Sequence, residues 1–187
     1  MVAHRRGNYV RAAIIRAALK EIVERGVESA TVARIARHAG VHETTVYRRW
    51  GTRENLLLDA MLTSSAHAIP IPDQGSIRSD VDHLVRSVCG YLRSPLGRGM
   101  VWALSLPQEG RYTEHRQRFW AQRTAVMLPL VQRGIDRGEL RADLDPQLFL
   151  DALISPLHAR LLTTGEPPDD QTASRLAHLI LNGATTP

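Results

Sequence analysis

Between Thr31 and Trp50 the chain sets hydroxyl, phenol, imidazole, carboxylate and guanidinium groups among apolar residues at helical spacing. At 100° per residue, Val46 and Trp50 lie about 40° apart and define an inward face. Thr44 and Arg48 fall opposite them, with Thr45 and Tyr47 on the flanks. Such an outward row suits nucleic acid. A guanidinium bonds guanine O6 and N7 together, and a threonine methyl packs on that of thymine. Arg49 lies nearer the rim and fits a phosphate. Arg53, at the start of the next helix, adds a cation to amides already suited to phosphate. Glu43 either accepts from cytosine N4 or favours the helix N-terminus as a solvated charge.

These side chains need two short helices held at a fixed angle. Thr31 is an N-cap for the first, which turns Val32, Ile35, Ala36 and Ala39 inward. Ala36 is small where the second helix must come close, and Gly40 supplies the positive φ of a tight turn. The second helix runs from about Glu43 to Trp50 and stops at Gly51. This is the spacing of a helix-turn-helix, whose second helix enters the major groove. Many helical hairpins share a small residue, a glycine and an apolar residue in that order, so charge adds the weight. Residues 1–53 hold 11 Lys/Arg against 4 acids, and residues 54–187 hold 13 against 15. The overall +5 is therefore concentrated at one end. A helix from Asn8 to Gly26 precedes the pair, and another, capped by Thr52 and running through Met61, follows it and joins the two domains. His4, Arg5 and Arg6 form either an arm for the minor groove or a frayed terminus.

At these residues the chain resembles the TetR family of bacterial transcriptional regulators. The matching residues are Thr31-Val32-Ala33-Arg34-Ile35-Ala36, Ala39-Gly40-Val41, Thr45-Val46-Tyr47-Arg48-Arg49-Trp50 and Arg53-Glu54-Asn55-Leu56-Leu57. The resemblance implies that Thr31, Tyr47 and Arg53 contact phosphates and that Thr44, Thr45 and Arg48 lie in the groove. Two positions depart from the family pattern. His42 stands where serine is frequent, which weakens the cap of the recognition helix, and Trp50 replaces the usual phenylalanine. A more diffuse likeness continues through Arg137-Gly138-Glu139-Leu140, Asp145-Pro146, Ser155-Pro156-Leu157 and Arg160-Leu161-Leu162. It implies a helical ligand-binding and dimerisation domain.

The fold expected is all-α. An N-terminal three-helix DNA-binding domain covers residues 1–53, and a helical ligand-binding and dimerisation domain covers residues 54–187. No period-2 strand is visible. Residues 64–75 read as a connection, since they hold two prolines, two serines and a glycine. Five further helices are expected at about 76–93, 96–106, 111–137, 146–164 and 169–182, with Pro129 and Pro156 kinking two of them. The resemblance implies that the last two pair with their copies in a homodimer, and the apolar rows Leu153, Leu157, Leu161 and Leu176, Ile180 permit it.

Large apolar groups around a few polar ones suit a small, mostly hydrophobic effector. Met100, Trp102, Phe119, Trp120 and Met127 are candidates for its pocket, with Cys89, Tyr91, Tyr112 and His115 beside them. For any one of them ordinary core is an equal alternative. The eight histidines form no His-x-x-x-His pair and no compact cluster with acids, and a single cysteine excludes a cysteine-cluster zinc site. No metal or cofactor is expected. No phosphate loop, dinucleotide fingerprint or nucleophile elbow occurs, so an enzyme is not expected either. The longest uncharged run, Ala60 to Pro72, has 13 residues and two prolines, too short to span a bilayer. The expected protein is a cytoplasmic repressor that binds a pseudo-palindromic double-stranded operator and is released by a small molecule. The alternatives are a DNA-binding protein with a nucleoid or division role and, further off, an enzyme or ligand carrier.

Overall fold

The computed structural model describes residues 2–105 and 111–185. The side chains of residues 2–6, 103–105, 111–113, 115, 116, 118 and 119 lie outside that description. The helices are α1 (Val2–Arg25), α2 (Val32–Ala39), α3 (Glu43–Trp50), α4 (Arg53–Ala68), α5 (Ile77–Arg93), α6 (Pro95–Ser105), α7 (Arg111–Asp136), α8 (Pro146–Thr164) and α9 (Asp170–Ala184). The described residues hold no strand. Their one β-like pairing is an isolated antiparallel bridge between Leu140 and Thr185.

The chain packs as two compact units, residues 1–65 with 95–116 and residues 66–94 with 117–187. In the first, α1 packs on α2 and on α6, and α2 packs on α3. Its core holds Ile14, Ala18 and Ile22 from α1, Ile35 from α2, Val46 from α3 and Leu56, Leu57 and Met61 from α4. Gly99 marks a close approach of α6, because a Cβ there would stand 2.8 Å from Met61 Sδ. In the second unit α5, α8 and α9 pack on one another. Leu84, Val85, Leu92, Leu130, Leu150, Leu153 and Ala173 close its core.

Two expectations change. First, α1 begins at Val2, so the backbone of His4, Arg5 and Arg6 is helical and does not form an extended arm. Second, α4 continues to Ala68, because Ser65 is buried and donates to the Leu62 carbonyl at 2.9 Å. A serine satisfied in this way does not end a helix, and the connection shortens to residues 69–76. Pro129 lies inside α7 and Pro156 inside α8, so each helix continues past its proline.

The candidate DNA-reading face and its supports

The α2–α3 pair is built as its residue types dictate. Thr31 Oγ1 accepts from the Arg34 amide and caps α2. At the other end Gly40 takes φ 67°, ψ 35°, a left-handed conformation open to glycine. The turn closes with Gly40 N–H on the Arg37 carbonyl and Val41 N–H on the Ala36 carbonyl, satisfying two helix-end acceptors. Ala36 is buried, leaving room for α3. His42 begins α3 with no side-chain cap bond, consistent with the loss of the serine found in the family pattern.

The wheel reading of α3 holds. Val46 and Trp50 are buried, while His42, Glu43, Thr44, Tyr47, Arg48 and Arg49 are exposed and Thr45 is half-buried. Tyr47 presents 47% of its surface, which argues against a packing role. Arg48 makes no hydrogen bond or ion pair with the described residues. Arg49 lies over the Trp50 ring, 5.8 Å from its centroid, and Nη2 donates to the Gly7 carbonyl at 3.1 Å.

A helix of eight residues does not persist alone, and three anchors hold α3. The Trp50 indole Nε1–H donates to Asp59 Oδ2 at 2.8 Å. Asp59 also takes Arg11 Nη2 on both oxygens, at 2.8 and 2.9 Å, so one carboxylate joins α1, α3 and α4. The buried Asn55 amide donates to the Trp50 carbonyl at 2.8 Å. Phenylalanine at position 50 would leave the indole bond unmade. Sequence reasoning missed Asp59, since nothing in the order of residues connects it to Arg11 or Trp50.

A fully buried acid fixes α2. Glu21 of α1 is fully buried and accepts from Arg34 Nε at 2.8 Å, with His38 Nδ1 at 3.2 Å. Arg34 also donates to the Ser29 carbonyl. This pairing removes Arg34 from the inventory of free cations.

Arg53, expected at a phosphate, is committed in the same way within the chain. Its Nε donates to the Ala30 carbonyl at 2.6 Å, and Nη2 donates to the carbonyls of Val27 and Glu28. Nη1 reaches Glu54 at 3.1 Å, and the guanidinium lies 6.0 Å from the Trp102 ring centroid. A guanidinium ringed by carbonyls ties the chain before α2 to the start of α4. Thr31 likewise has its hydroxyl engaged as a cap but stays exposed.

The expected pocket residues divide between the units. Met100 is buried and Trp102 half-buried in the first; Cys89, Tyr91 and Met127 are buried and Trp120 half-buried in the second. The side chains of Tyr112, His115 and Phe119 lie outside the described residues. Burial pushes the Cys89 thiol up to about 11, so it is a small apolar group and no nucleophile. Trp120 meets His158 edge-on, with centroids 5.8 Å apart. Burial holds His158 below its usual pKa of 6.5. Among the described residues no group of His, Cys, Asp and Glu could hold a metal ion, and no helix is long and apolar enough to cross a membrane.

The α8–α9 surface corrects one expectation. Leu153, Leu157 and Leu161 are buried inside their own unit and cannot meet a second chain. The outward row of α8 is Leu148, Ala152, Ser155, Ala159 and Leu162, at alternating spacings of four and three, with Leu148 65% and Leu162 56% exposed. On α9, Leu179 is 69% exposed. It lines an open concavity of about 520 Å³ with Ser174, Arg175, His178 and Asn182. Sequence periodicity alone cannot tell the inward row from the outward one when both are apolar.

Residues 14–60 match the family model of the bacterial regulatory proteins, tetR family, and residues 71–180 match that of the tetracyclin repressor-like C-terminal domain. The HTH-type transcriptional regulator AqdR of Rhodococcus erythropolis is 30% identical over 95% of this chain and 86% of its own. The uncharacterized HTH-type regulator YdeS of Bacillus subtilis is 31% identical over 91% and 85%. Among solved structures, a TetR family transcription regulator superposes with a TM-score of 0.84 at 30% identity, over 95% of this chain and 99% of that one. FadR of Bacillus subtilis, in complex with stearoyl-CoA, has a TM-score of 0.69 at 18% identity, over 92% and 98%, and shares the fold. With an α2–α3 pair built to present a polar face, two matched domain models and relatives along its length, this chain is a member of the TetR family of DNA-binding transcriptional regulators.

Proposed function

We propose that the protein is a cytoplasmic repressor that reads a pseudo-palindromic operator as a homodimer and leaves it when a small apolar effector binds. The observation that carries this reading is the α3 face: Arg48 has no partner among the described residues, beside exposed Thr44 and Tyr47, while Val46 and Trp50 anchor the opposite side. In this reading Arg48, Thr44 and Thr45 meet base edges. Tyr47, Arg49, His42 and Thr31 lie along the phosphates, and Glu43 sits at the groove edge. Arg53 positions the helices and does not touch DNA. Arg49 reaches a phosphate by releasing the Gly7 carbonyl, an exposed bond of small net worth.

One eight-residue helix covers too little DNA to specify a genomic site, so two copies are required. The outward apolar rows of α8 and α9 supply the contact between them, as a four-helix arrangement with their copies. Effector binding falls to the second unit, around Trp120 and Met127. That a protein of this fold was crystallised with stearoyl-CoA supports a site for a molecule with an apolar body. Release follows if the effector prefers a conformation in which the two α3 helices no longer match the operator. A coupling of ~1–3 kcal/mol lowers affinity roughly 5–150-fold. The chain passes from the first unit into the second along α4, which makes that helix the natural lever.

The test is selection of bound sequences from a pool of random duplexes. A two-fold-related consensus lying in promoters supports the reading. Binding without sequence preference, or enriched sites away from promoters, moves the protein to a nucleoid or division role.

A further inference from the structure

Arg123 lies on α7 and is only 8% exposed. Arginine does not release its proton in a protein, so the second unit holds a buried positive charge. Such a charge is costly unless it is paired. Its bond among the described residues is from Nη2 to the Ile69 carbonyl, at 2.7 Å. Burial pulls its pKa down, and no neighbouring charge offsets that. The arginines further along the chain, at the end of α7 and just beyond it, are treated differently. Arg133 pairs with Asp73 and donates to the Pro72 carbonyl, and Arg137 pairs with Asp73 and Glu139.

The other guanidinium nitrogens of Arg123, Nε and Nη1, make no hydrogen bond with the described residues, so they retain donors for a bound group. Along α7, Trp120 stands three residues before Arg123 and Met127 four after, which puts all three on one helical face. Met127 is buried, and Trp120 rests against His158. His158 Nδ1–H donates to the Ile154 carbonyl at 3.1 Å, and burial holds the ring below its usual pKa and so neutral near pH 7. It therefore offers no competing cation. A lone guanidinium between apolar side chains matches an amphiphile with one anionic end.

We infer that the effector carries an anionic oxygen group, a carboxylate or a phosphate, that pairs with Arg123 while its apolar body lies along Trp120 and Met127. This rests on the reading of the second unit as the effector-binding one. Two parallel N–H···O bonds from a guanidinium to an oxyanion would supply direction as well as charge.

Thermal shift and titration calorimetry on the full chain decide it, with n-alkyl carboxylates, n-alkyl phosphates and n-alcohols of matched length as probes. The wild type is expected to bind one anionic series about tenfold or more tightly than the alcohols. Which anion wins identifies the headgroup. Arg123→Met, which replaces an unpaired buried charge with an apolar chain of similar length, is expected to keep or raise the ligand-free Tm and to erase that preference. Arg123→Lys is expected to retain part of it, and carries the comparison should the methionine variant fold poorly. Alcohols binding as tightly as anions to the wild type, or a preference that survives Arg123→Met, would overturn the anionic assignment and leave the effector site standing. No response to any series overturns both.

Discussion

The outward faces of α3 and α8 are both bare in the single chain, yet they are made of opposite materials. On α3 the bare positions are Thr44, Tyr47, Arg48 and Arg49; on α8 they are Leu148, Ser155, Ala159 and Leu162. Donors that retain their water at little cost suit a hydrated, charged partner such as duplex DNA. Leucines at the two ends of a row of small residues suit another helix, which can come close and exclude water. The supports differ in the same sense. Behind α3 stand shared carboxylates that fix an angle, whereas behind α8 stands a continuous apolar core.

The contrast is broken most severely at the face proposed to meet a second copy. Leu179→Glu on α9, or Leu148→Glu on α8, should convert the dimer to monomer in sedimentation and lower operator affinity by ~100-fold or more, through loss of two-site binding. Unchanged mass and affinity would show that these leucines are not the contact. At the DNA face, Arg48→Ala should cost ~1–3 kcal/mol of binding and relax the selected consensus at one base pair in each half-site. An equal loss on all sequences would reassign Arg48 to a phosphate.

Two further variants separate support from contact. Arg53→Ala should cost ~1–3 kcal/mol of folding stability, since it frees carbonyls that the guanidinium now satisfies. The slope of log affinity against log salt should stay unchanged; a slope flatter by about one per monomer would restore the phosphate role. Trp50→Phe should cost about 1 kcal/mol, the indole bond to Asp59, with the Arg11–Asp59 pair intact.

The smallest effect is a pH dependence. Burial lowers the His158 pKa in the fold, so the unfolded chain binds the proton more readily. The stability contributed by neutral His158 is complete above its usual 6.5 and falls as the pH drops below it. Denaturation midpoints measured from pH 7.5 to 5.5 should decline, and His158→Phe should flatten that decline. An unaltered slope would place the acid sensitivity elsewhere.

How much of this the residue order disclosed depended on whether the signal was local. Thr31 and Gly40 act on their own neighbours, so the limits of α2 and its turn were legible. The inward pair Val46 and Trp50 was legible too, because i and i+4 share a face whatever the fold. The engagement of Arg53 was not legible, because the carbonyls it holds, at 27, 28 and 30, are more than twenty residues away and carry no side-chain signature. Asp59 was missed because only the packing of α1, α3 and α4 brings Trp50 and Arg11 to it. On α8 the periodicity was right and the face was wrong, since two apolar rows compete and only packing against α5 and α9 chooses between them. Arg123 passed as one of many arginines until its burial set it apart.

The bond from Trp50 to Asp59 has a consequence for anyone wishing to retarget this regulator. The angle of the reading helix is stored at Val46, Trp50, Asn55, Asp59 and Arg11, none of which belongs to the exposed row of α3. A library that randomises Thr44, Thr45, Tyr47 and Arg48 and leaves those five alone can therefore sample new operators on an unchanged chassis. The same library with position 50 varied would lose its frame of reference along with its sequence.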